Sequence, residues 1–70
     1  MYPDFCKKLK AIRTEREMSQ AKLAKILDRP QQDISKWELG IQEPNLADVV
    51  KLSLIFNVSS DYLLGISDEA

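Results

Sequence analysis

The chain is expected to fold as an all-α domain of five helices, and three observations lead there. Apolar residues recur at helical spacing in one segment after another. Capping and stop residues fall where those segments begin and end. The stretch VSSDYLL holds some β-formers, but nothing nearby offers a second strand to pair with it.

Helix 1 is expected from about Pro3 or Asp4 to Arg16, with proline in its first turn and Phe5, Leu9 and Ile12 on one face. Its other face is basic. Ser19 is a natural cap for helix 2, because its hydroxyl can satisfy a free backbone N–H, and Leu23, Ala24 and Leu27 then share an inner face. Asp28 and Arg29 make a tight turn. Helix 3 starts at Pro30 or Gln31 and ends near Leu39, with Gly40 as a left-handed stop. Its inner face is Ile34 and Trp37, which leaves Gln31, Gln32, Ser35 and Lys36 pointing outward. Such a face suits a polar partner. Pro44 and Asn45 launch helix 4, with Leu46, Val49, Leu52 and Phe56 as its buried row. Ser59 or Ser60 caps a short helix 5 that holds Tyr62 and Leu63 and closes at Gly65. Met18 and Val58 complete the expected core. One domain over residues 1–66, followed by a short polar tail, 67–70, accounts for the chain.

Seventy residues bury only about 60% of their unfolded surface, so the core is thin and pairing with a second subunit would help it. Hydrophobic residues at 44% and charged residues at 30% describe an ordinary globular protein. No apolar run approaches a membrane span and no secretory leader is visible, so a cytoplasmic location is expected. One cysteine, Cys6, and no histidine leave no disulfide, no metal cage and no common general base. No cofactor, no small-molecule ligand and no enzymatic activity are expected.

The net charge of −1 conceals an asymmetry. Residues 1–36 carry nine basic side chains against five acids, a local +4, whereas residues 37–70 carry one against six, a local −5. A polyanion would orient such a chain by its first half.

Taken in order, MSQAKLAKIL, ISKWE, Pro44, the row from Leu46 to Phe56 and the closing NVSSDYLLG resemble the helix-turn-helix domain of phage repressor and Cro proteins, also called the xenobiotic response element family. The likeness covers nearly the whole chain. It implies a lambda-repressor-like fold, binding to a double-stranded DNA operator as a transcriptional regulator or repressor, and a homodimer on two-fold half-sites. Helix 3, about 30–39, becomes the recognition helix in the major groove.

On that resemblance Gln31 and Gln32 take the main base-reading positions, where an amide's adjacent donor and acceptor match adenine N6 and N7. Lys36 would reach guanine or a phosphate. Asp33 would accept from a cytosine amine or complement the helix dipole, and Ser35 joins the same outward set. The phosphate contacts would be Ser19, Gln20, Lys22, Arg29 and Trp37. Within that set, Gln20 also buttresses the first recognition residue, Arg29 lays its stem over the core, and Trp37 offers its indole N–H at the rim. Arg13 and Glu38 would form a partly buried pair that holds helix 3 at its angle. Leu54, Leu64 and Ile66 mark an expected dimer surface. Departures from the family pattern are Asp28 for the turn glycine, Arg29 for a small apolar residue and Pro30 for the cap. Leu39, Ile41 and Glu43 stand where relatives offer basic or polar groups, which predicts weaker non-specific affinity. That loop and the acidic second half support an alternative, a protein-interaction module of the same fold such as an antitoxin or anti-repressor.

Overall fold

Eight-residue helices are too short to persist alone in water, so this fold depends on how its short helices are capped and packed together. The computed structural model describes residues 4–68. Five helices follow in order: α1 (Phe5–Glu15), α2 (Gln20–Leu27), α3 (Gln31–Glu38), α4 (Leu46–Phe56) and α5 (Ser60–Leu63). No strand occurs among the described residues. Pro3, one candidate start of helix 1, and the last residues of the tail lie outside them.

Local chemistry fixes the ends. Ser19 Oγ accepts from the Lys22 backbone N–H at 3.0 Å, and Ser59, rather than Ser60, caps α5 in the same way through Tyr62. Asn45 and Asp48 form a reciprocal capping box at the start of α4, each side chain accepting the other's backbone N–H. Pro30 caps α3 with no side-chain bond; its ring sets φ near −62° instead. At the far end of α3, Gly40 adopts φ +75°, and Ile41 N–H closes back on the Lys36 carbonyl at 3.0 Å. Asp28 takes the left-handed conformation in the turn, as expected for a residue whose short polar side chain tolerates it.

Phe5, Leu9, Ile12, Leu23, Ala24, Leu27, Ile34, Trp37, Leu52, Phe56 and Leu63 form one buried cluster, flanked by half-buried Met18 and Val58. All helices contribute. Leu46 departs from its expected place in the core, being 80% exposed. As the first residue of α4 its side chain leans toward the helix N-terminus, off the end of the core. Asp48, beside Val49 in sequence, is buried although it carries a carboxylate.

Gly65 is required by its surroundings. It has φ +78°, and a Cβ there would lie 2.7 Å from Asp4 Cβ, so the chain after α5 passes too close to the start of α1 for any side chain.

Candidate nucleic-acid interface

α2 and α3 pack against one another across the Asp28 turn, burying Leu23, Ala24 and Leu27 from one helix and Ile34 and Trp37 from the other. Period then decides what faces outward. Gln31 and Gln32 are exposed at the first turn of α3, Lys36 is exposed one turn later, and Ser35 is half-buried beside them. Ser19 and Lys22 are exposed at the start of α2. The Ser19 oxygen that caps the helix keeps its own proton to donate. The two helix starts thus present amide, hydroxyl and ammonium groups together.

The far end of α3 is tied to α1. Arg13 donates from Nε to Glu38 Oε2 at 2.6 Å and from Nη2 to Oε1 at 3.0 Å, a fork in which both oxygens are engaged. Its Nη1 donates to the Met18 carbonyl at 2.7 Å. The two side chains are only 10% and 3% exposed, so water competes little for these bonds. The hydrogen bond to Glu38 raises the already high pKa of Arg13; burial opposes it, and the charge attraction adds a smaller upward push. The expected pair is therefore in place. Gln20 belongs to the same network, donating from Nε2 to Glu38 Oε1 at 3.0 Å. Its amide therefore braces the last residue of α3 rather than the first, which corrects the expected buttress at Gln31.

Trp37 is 1% exposed, and its indole N–H has no partner among the described residues. The structure corrects the expectation that this group reaches the rim, because the ring fills the core beneath α3. Arg29 also differs from expectation. Its donors turn toward two carboxylates: Nε to Asp48 Oδ1 at 2.9 Å, Nη2 to Asp48 Oδ2 at 2.7 Å, and Nη1 to Asp33 Oδ2 at 3.1 Å. The guanidinium lies 5.6 Å from the centre of the Trp37 ring. Hydrogen bonds to Asp48 and then Asp33 raise its pKa. Asp33 sits in the first turn of α3, where an acid complements the dipole, and is half-buried against Arg29.

Asp48 is not legible in the sequence as a partner for the turn. Its spacing from Asn45 signals a capping box, but nothing local signals a bond to a residue 19 positions earlier.

Away from these pairs the positive charge is exposed on Lys7, Lys10, Arg16, Lys22, Lys25, Lys36 and Lys51, while Lys8 sits 4.1 Å from the centre of the Tyr62 ring. No cluster of potential metal ligands occurs among the described residues, and no described helix is long and apolar enough to cross a membrane.

Two short helices joined by a left-handed turn, the second presenting a polar face and both anchored on a shared core, define a helix-turn-helix domain. The helix-turn-helix family model matches residues 9–63, more than half of the chain. The chain belongs to this family, of the phage repressor and Cro type. It is 42% identical over 60 residues to the SPbeta prophage-derived uncharacterized HTH-type transcriptional regulator YonR of Bacillus subtilis, covering 86% of this chain and 56% of that protein. It is 36% identical over 59 residues to the HTH-type transcriptional regulator ImmR of Bacillus subtilis, covering 84% and 46%. It is 38% identical over 61 residues to the HTH-type transcriptional activator BcrR of Enterococcus faecalis, covering 87% and 30%. The chain thus spans about half or less of the length of these relatives.

Proposed function

We infer that this chain is a sequence-specific binder of double-stranded DNA that regulates transcription, acting as a repressor of prophage type from the cytoplasm. One observation carries the reading. Gln31 and Gln32 stand exposed on a helix whose inner face is buried and whose end is fixed by the Arg13–Glu38 fork. With α3 in the major groove these amides meet base edges, Lys36 meets a guanine or a phosphate, and the start of α2, with Ser19, Gln20 and Lys22, meets the backbone. The names of the relatives, all transcriptional regulators, support the same reading. Leu54 and Ile66, both exposed, with half-buried Leu64, supply an apolar surface for a homodimer on two half-sites.

Selection of bound duplexes from a random pool tests the assignment. Gln31→Ala and Gln32→Ala should each relax preference at one base pair by about 1–3 kcal/mol while leaving the melting temperature nearly unchanged. A profile unaltered by both changes would sink it.

A second reading, a protein-interaction module, is favoured by Leu39 and Ile41, which are 69% and 68% exposed on the loop after α3. In that case binding to a protein partner would be insensitive to salt and lost on Leu39→Ser or Ile41→Ser.

A further inference from the structure

We propose that Arg29 and Asp48 form a clamp that narrows what α3 can read, withdrawing Asp33 from the bases and Arg29 itself from the phosphates. The proposal rests on the DNA-binding reading above and goes beyond it by assigning a specificity role to a residue outside the helix pair.

The argument starts at Asp48, whose side chain is only 4% exposed. A carboxylate so placed needs donors, and the Asn45 backbone N–H, at 3.3 Å, supplies one. Arg29 supplies a second, Nε to Oδ1 at 2.9 Å, and its Nη2 stands in ion-pair contact with Oδ2 at 2.7 Å. Arg29 cannot swing out to a phosphate without abandoning a buried charge. The Trp37 ring, 5.6 Å from the guanidinium, provides a further contact.

The remaining guanidinium nitrogen, Nη1, meets Asp33 Oδ2 at 3.1 Å. An exposed arginine–aspartate pair four residues apart is weak when both partners are mobile, because much of its energy is spent on ordering two side chains. Here Asp48 has already ordered the arginine. Asp33 therefore binds to a preset donor and folds back along the turn, leaving the outward set to Gln31, Gln32, Ser35 and Lys36. One cation shared between two carboxylates also leaves this corner net negative, so a phosphate gains nothing by approaching it.

Four variants separate the parts of the clamp. Arg29→Gln with Asp48→Asn replaces the ion pair by two neutral amides and frees Asp33; Arg29→Gln alone is the second route to the same release. Duplexes selected from a random pool should then show a new preference for cytosine at one position, of roughly five- to a hundred-fold. Adding Asp33→Ala should abolish that gain, an effect that a purely structural role would not produce. Asp48→Asn alone frees Arg29 for the backbone and should steepen the slope of log affinity against log salt by about 0.9. Without DNA, nitrogen-edited NMR of the native protein should show a resolved, slowly exchanging Arg29 Nε–H signal; a rapidly exchanging one overturns the proposal even if every variant fails to fold. A selective native protein whose profile and salt slope are unmoved by release overturns the clamp alone. A native protein that selects no sequence overturns the DNA reading and the clamp with it.

Discussion

Removing the carboxylate of Glu38 should be among the most destructive single changes this domain can suffer. In Glu38→Ala the Arg13 guanidinium stays beneath the surface, 10% exposed, and loses both prongs of its fork, keeping only the Met18 carbonyl. Stranding one partner of a buried pair costs about 3–5 kcal/mol. A domain of 70 residues has a total stability of about 3.5–10 kcal/mol, so from about a third to all of it is at stake. With an unfolding entropy of about 2.1 cal/mol/K per residue, each kcal/mol moves the midpoint by roughly 7 °C, and the expected fall is about 20–35 °C. Thermal unfolding followed by far-ultraviolet circular dichroism measures it. The double change Arg13→Met with Glu38→Leu should recover most of the loss, since the cost lies in the stranded charge rather than in the missing attraction. A fall below about 7 °C for Glu38→Ala, or a double variant no better than the single one, would refute the reasoning.

Other outcomes follow from the same coordinates. Lys22→Ala and Lys36→Ala should each weaken DNA binding at every sequence if they meet phosphates, lowering the salt slope by about 0.9 in a titration series. Gly65→Ala should destabilise the domain by more than about 1 kcal/mol in urea unfolding, since it adds a left-handed penalty to the 2.7 Å approach to Asp4 Cβ. The raised pKa of Arg13 makes its stabilisation complete below the unfolded value and lost only as pH climbs through the folded one, both beyond ordinary buffers. As the sequence has no histidine, the melting temperature should not shift between about pH 6 and 8.

Much of this was legible before any coordinates, and the reason is that the readable features are local. Ser19, Asn45 and Gly40 act within a turn of where they stand, so their chemistry marks helix ends without reference to the rest of the fold. The outward placement of Gln31, Gln32 and Lys36 follows from period alone once Ile34 and Trp37 are assigned inward. The Arg13–Glu38 pair was found through family resemblance, not periodicity, because 25 residues separate its members. The misses are of the same long-range kind. Asp48 looks like an ordinary acid in a first helical turn, and only the arrangement of the Asp28 turn against α4 brings Arg29 to it. Leu46 has the spacing of a core residue, but spacing cannot say that a helix begins just past the edge of what it covers. Gln20 was expected against the first recognition residue, whereas its amide meets Glu38, 18 positions away, which no local pattern signals.

The brevity of α2 and α3, eight residues each, makes reading and folding a single equilibrium. Two-turn helices detached from Leu9, Leu52 and Phe56 would melt at once, so no partly opened form retains a working reading head. Backbone amides deep in α3 should therefore exchange with solvent only through global opening. Any bound operator would protect the entire domain from proteolysis, and not merely the surface it covers.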